Sequence, residues 1–132
     1  MVEASTGIKV VYFNLHARVE FIRVLLAHAN VEYTNEIVEL PPSTAWPTLK
    51  ASGKLAFNSL PEVTVDGIVM NQSRAAGRAL AIKYGYYSTD PRTMWAIDSL
   101  VDFIQADFDK ITFYGFTPVD KRTEEKNEKW RN

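Results

Sequence analysis

Residues 8–40 read IKVVYFNLHARVEFIRVLLAHANVEYTNEIVEL, and the fold is decided by how the spacing of apolar residues changes along them. Ile8–Phe13 (IKVVYF) is β-branched and aromatic, the composition of a buried strand. After Asn14 and a short loop the period becomes helical. Over residues 19–29, Val19, Ile22 or Arg23, Leu26 and Ala29 follow helical spacing, with Phe21 and Leu25 widening the apolar face. Asn30 is a stop signal. Residues 33–40 form a second extended stretch with alternating polar positions, ended by Pro41-Pro42. Strand, helix and strand in this order form a βαβ unit, whose strands run parallel through a right-handed crossover.

Residues 41–60 mix prolines, Trp46, a short helix expected at Ala45–Ala51, and Gly53. They read as a long functional loop, because Trp46, Leu49, Leu55 and Phe57 need a surface to pack on. Residues 62–65 and 68–71 flank Asp66-Gly67 and read as a β-hairpin. Ser73 is then a candidate N-cap for an alanine-rich helix over residues 75–84, closed by Gly85. The pattern βαβ–ββα predicts an α/β fold of the thioredoxin-like kind, a four-stranded mixed sheet with helices on its faces.

Beyond Gly85 the composition changes. Pro91 can occupy the first turn of a helix, and Ile97, Leu100, Val101, Ile104, Phe108 and Ile111 mark one apolar face to about Thr112. A loop is expected over residues 114–119, followed by a charged and polar run over 120–132. The expected organisation is therefore a thioredoxin-like domain over 1–86 and an incomplete all-α segment over 87–132.

The 132 residues are 46% hydrophobic and 12% aromatic, enough for a real core. A formal net charge of −1 supplies no attraction to nucleic acid or to an anionic membrane. No apolar run reaches the length of a bilayer span, and the first residues, MVEASTGIK, lack a secretory signal, so the cytoplasm is the expected location. Cysteine is absent. Catalysis by a protein thiol is thereby excluded, so any sulfur chemistry must use a bound thiol. His16 and His28 are too isolated to make a metal site. Asp98 and Asp102 read as a solvated or dimer-facing stripe.

Three motifs, KVVYFNLHARVE over 9–20, LPEVTVDG over 60–67 and QSRAAGRALAIKY over 72–84, resemble the amino-terminal domain of glutathione transferases. They look most like the sigma class, which includes glutathione-dependent prostaglandin D synthases and the lens S-crystallins. The resemblance extends over about residues 8–110. It implies a glutathione-binding domain followed by the start of a helical domain, with glutathione as co-substrate, no metal, and a small electrophile as second substrate. A detoxifying cytoplasmic transferase acting as a homodimer or in a larger assembly is the expectation, with neither nucleic acid nor membrane as partner.

The resemblance also assigns residues. Tyr12 matches the tyrosine that stabilises the glutathione thiolate, and Arg18 the arginine that supports it electrostatically. Trp46 and Lys50 match the donors to the glycine carboxylate, with Lys54 a rival for the lysine role. Leu60-Pro61 matches a cis-proline site at which Leu60 pairs with the cysteinyl amide. Gln72 and Ser73 match the helix terminus that binds the γ-glutamyl carboxylate.

Two positions depart from the family pattern. Asn58-Ser59 stands where the family usually has Gly-Lys, and Ala106 where a carboxylate often reaches across the dimer. These departures and the short helical segment favour the competing expectation, a non-catalytic transferase-like subunit or dimerisation module. Tyr12, Arg18, Trp46, Gln72 and Ser73 favour the enzyme, since a scaffold has no physical need for that set.

Overall fold

The computed structural model describes residues 7–118. Among them, β1 (Ile8–Phe13), β2 (Tyr33–Val38), β3 (Glu62–Val65) and β4 (Ile68–Asn71) form one sheet in the order β2-β1-β3-β4. β1 and β2 run parallel, while β3 is antiparallel to both β1 and β4. This is the mixed four-stranded sheet expected of a thioredoxin-like fold. Val10, Val11 and Tyr12 are buried in succession, so β1 is covered on both faces and its apolar run is explained.

The first helix, α1 (Glu20–His28), buries Ile22 and Leu26 completely, with Val19 at its N-cap. α2 (Ala45–Ala51) buries no residue fully, but Trp46 and Leu49 pack on the edge of the core. α3 (Ser73–Lys83) contributes Ala76 and Leu80. Together with Val10 and Val63 these side chains form one core, each large one contributing about 1.5–3 kcal/mol of burial. α1 and α3 meet closely at Gly77, where an added Cβ would run into the Phe21 ring.

Several boundaries differ from the sequence reading. β2 stops at Val38 instead of residue 40, because Val38 pairs with Phe13, where its only neighbour ends. The N-cap of α3 is Gln72, at φ 63°, and Ser73 is the first helical residue, without a side-chain capping bond. The left-handed turn at Gln72 sends the chain from β4 straight into the helix and leaves no spacer. The hairpin turn matches its sequence: Asp66 and Gly67 have φ of 50° and 79°, the pair of positive values that a tight hairpin requires.

The chain divides into two units, Met1–Tyr87 and Ser88–Asn132. In the second, α4 (Pro91–Phe116) opens under Asp90, whose carboxylate accepts the Thr93 backbone N–H at 2.8 Å. It runs to Phe116, past the expected end near Thr112, so the loop expected over 114–119 is helical in its first residues. The reason is that propagation adds one backbone bond per residue whether or not the apolar stripe continues. Ile97, Val101 and Phe108 are half-buried, whereas Leu100, Ile104 and Ile111 of the predicted face are exposed, along with Trp95 and Phe103. The charged run over 120–132 lies outside the described residues.

Candidate functional site at the strand ends

Register brings the predicted residues to one end of the sheet. Val11 pairs with Glu62, and Glu62 with Asn71. The C-terminal end of β1, the N-terminal end of β3 and the C-terminal end of β4 therefore lie side by side. Extending the β1–β3 register by one step sets Pro61 opposite Tyr12. The chain leaves β2 at this same end and continues to α2. Ligand sites in α/β sheets gather where strands end and loops diverge.

Tyr12 is only 5% exposed. Burial pushes its phenol above the ordinary value of 10.0; against that, the Arg18 backbone N–H donates to the hydroxyl oxygen, and the charges of Arg18 and Arg23 also pull downward. Burial prevails. The hydroxyl thus keeps its proton at neutral pH and remains a donor. Arg18, expected to support Tyr12 by charge, acts first through its main chain. The loop between β1 and α1 brings that amide back over the strand end.

On α2, Lys50 places its Nζ 5.8 Å from the centroid of the Trp46 ring. The Trp46 ring meets Phe13 edge-on at 5.2 Å, and Phe13 in turn meets Tyr12 at 5.2 Å. A chain of aromatic contacts thus ties the Trp46–Lys50 pair to the end of β1. Lys54 lies beyond α2, its backbone N–H donating to the Ser52 hydroxyl at 3.3 Å.

Leu60-Pro61 is cis, and both residues are buried. Asn58, in the glycine-like position before it, holds φ at 51°. Asparagine is among the few side chains that tolerate this left-handed conformation. At the start of α3, Gln72 is exposed and Ser73 is 8% exposed, a buried polar residue. The Nδ2 of neighbouring Asn71 is buried without a hydrogen-bond partner, as is the Nε of Arg23. Burying a donor unsatisfied is costly.

Arg23 was not singled out as a site residue by sequence. Its signal was present, since it stands four residues after Val19 and so borders the apolar face, but only the packed structure shows what a cation does there. Ala106 is exposed on α4, in the second unit. His16 pairs with Glu20 at 3.0 Å, and His28 Nδ1 lies 2.7 Å from the Tyr86 hydroxyl.

The fold and this site geometry define a thioredoxin-like domain with its candidate site on the strand ends. No family model matches the sequence. The chain is similar to glutathione S-transferase alpha-2 of Rattus norvegicus, at 38% identity over 87 residues, covering 66% of this chain and 38% of the relative. It is also similar to hematopoietic prostaglandin D synthase of Gallus gallus, at 34% identity over 96 residues, covering 73% of this chain and 46% of that protein. Among solved structures, prostaglandin synthase D of Nilaparvata lugens superposes with a TM-score of 0.80 at 25% identity, over 96% of this chain and 61% of that one. Over the region matched, the chain is similar to members of the glutathione S-transferase family. It spans less than half the length of these two curated relatives.

Proposed function

We propose that this chain provides the glutathione site of a glutathione transferase, in which Tyr12 holds the thiolate for attack on a small electrophile. The observation that carries the reading is the buried Tyr12 phenol, kept protonated by its surroundings and polarised by the Arg18 backbone N–H. A neutral phenol in that position donates to sulfur and favours the thiolate over the thiol. The thiolate then forms a bond to the electrophilic carbon, the leaving group departs with the electron pair, and Tyr12 retains its proton. In an isomerisation the sulfur would leave again in a later step.

The remaining residues take one part of glutathione each. Trp46 and Lys50, both pure donors, hold the glycine carboxylate. The Leu60 backbone pairs with the cysteinyl amide in strand fashion. The uncapped start of α3, with Gln72 and Ser73, binds the γ-glutamyl carboxylate at the positive end of the helix. The motifs read as sigma class, a reading supported by the similarity to the chicken prostaglandin D synthase, while the rat alpha-class enzyme matches at 38%. Homodimerisation, a detoxifying role and a cytoplasmic location belong to the same proposal. No helix among the described residues is long and apolar enough to cross a membrane.

A calorimetric titration of the 132-residue chain with glutathione tests the reading. Saturable binding in the micromolar to millimolar range is expected, and a folded chain that releases no heat would reject it. The scaffold reading is favoured by Asn58-Ser59, which removes a positive side chain beside Leu60-Pro61. It predicts a folded chain that gives no conjugate with a simple aryl halide, whether or not glutathione binds.

A further inference from the structure

Arg23 lies one turn into α1 with its side chain only 14% exposed. Its guanidinium joins three separate pieces of the fold. Nη1 donates to the Leu15 carbonyl oxygen at 3.4 Å and to Glu20 Oε2 at 3.2 Å, and Nη2 donates to Asn35 Oδ1 on β2 at 3.1 Å. Leu15 sits in the loop between Tyr12 and Arg18, and its own N–H donates to the Phe13 carbonyl at 2.8 Å. The loop that presents the Arg18 amide to Tyr12 is thus tied to β1 at one end and to Arg23 in its middle.

We propose that Arg23 is a positioning residue for Tyr12: its fork holds the Leu15 loop against β2, and its largely buried charge favours negative charge at the strand end. The inference rests on the glutathione reading for its catalytic meaning, but not for its physical content. A guanidinium suits the task because it is always charged and can reach two acceptors in different directions. Its charge is only partly compensated. Glu20 supplies one carboxylate, which it shares with His16 and which is 36% exposed. Asn35 is neutral, and Nε is buried with no partner. Arg18 on the loop and Tyr12 share this strand end with Glu36 of β2 and Glu62 of β3, both paired with Val11, and with Lys50 beside Trp46; of the cations here, Arg18 and Arg23 act on Tyr12 in the direction of ionisation.

The test uses the whole chain with Arg23→Met, which removes charge and fork, and Arg23→Lys, which keeps the charge but not the fork. Tyr12 is titrated by ultraviolet difference absorbance against Tyr12→Phe, first without glutathione. Arg23→Met should raise the Tyr12 pKa by at least about half a unit, and Arg23→Lys should raise it by less. With glutathione bound, the thiol pKa should rise in the same order, and kcat should fall while KM for glutathione changes little. A purely structural Arg23 would lower the melting temperature and leave the titrations alone. Should Arg23→Met not fold, Arg23→Lys carries the test, and a Tyr12 titration identical to wild type in whichever variant folds overturns the proposal. Failure of the wild-type chain to bind glutathione rejects the transferase reading instead, and the Tyr12 titration still judges Arg23.

Discussion

The Arg18 backbone N–H donates to the Tyr12 hydroxyl oxygen, linking the end of β1 to the loop that leads into α1. The bond directs the proton of Tyr12 outward. An oxygen that already accepts from an amide presents its O–H to a further acceptor, and the polarised O–H is the stronger donor. The arginine side chain is exposed, so its identity matters less to this bond than the path of its backbone.

Tyr12→Phe removes the donor while leaving the ring contact with Phe13 in place. A hydrogen bond to a charged acceptor is worth about 1.5–3 kcal/mol, so turnover should fall roughly 10- to 100-fold. Glutathione affinity should change little, because the other contacts remain. Steady-state kinetics with an aryl halide measure the first, and calorimetry the second. Equal turnover in the two proteins would remove Tyr12 from the mechanism. The raised phenol pKa also has a sign. The folded state binds this proton more tightly than the unfolded state, so its stabilising effect is complete below pH 10.0 and lost as pH rises through the folded value. Thermal melts should show an alkaline decline that is shallower in Tyr12→Phe.

At the start of α3, the absence of a side-chain cap leaves helix-terminal amides for an anion. Ser73→Ala deletes a buried hydroxyl, and Gln72→Ala an exposed amide beside it. If both hold the γ-glutamyl carboxylate, each variant should weaken glutathione binding by roughly 10-fold, with turnover at saturation nearly preserved. Calorimetry reads the affinity. Unchanged binding in both variants would leave Asn71, with its buried unpaired Nδ2, as the better candidate at this terminus.

Gly77 offers a prediction about the fold alone. Alanine there gains about 1 kcal/mol of helix propensity but drives a methyl group into the Phe21 ring. The overlap should dominate, costing roughly 1–3 kcal/mol in urea unfolding. Phe21 is 41% exposed, and truncating it to alanine opens the space. In that background Gly77→Ala should become neutral or stabilising. A penalty that persists in the double variant would mean the strain is in the backbone rather than in the ring.

Single residues differ in how much of their place in the fold the sequence alone specifies. β1 was legible to its ends because its β-branched run coincides with a strand covered on both faces. The hairpin was legible because Asp66-Gly67 meets the demand for positive φ at both turn positions. The end of β2 was not, since residues 39 and 40 lose their partner only because β1 stops at Phe13. The start of α3 was displaced for a local reason, the left-handed backbone of Gln72, which glutamine rarely adopts and which no propensity encodes. The site divided in the same way. Tyr12, Trp46 and Gln72 could be named from motifs, but the main-chain role of Arg18 and the bridging role of Arg23 depend on contacts between different elements.

Glu20 closes the loop electrostatically, and its protonation gives the last prediction. Partial burial pushes its carboxyl up, but hydrogen bonds from His16 and Arg23, with their charges, outweigh this and hold it below the ordinary value of 4.5. A depressed folded pKa means that the contribution is fully present above pH 4.5 and is lost as pH falls through the folded value. Melting temperature should therefore decline in acid below that pH, and Glu20→Gln should flatten part of the decline. The effect will be small, because the carboxylate is 36% exposed and solvent screens the pair. Added salt should reduce it further, because the His16 side of the bridge is 87% exposed and is a full ion pair only with the imidazole protonated. An acid limb identical in wild type and Glu20→Gln at low salt would show that the bridge contributes nothing to stability.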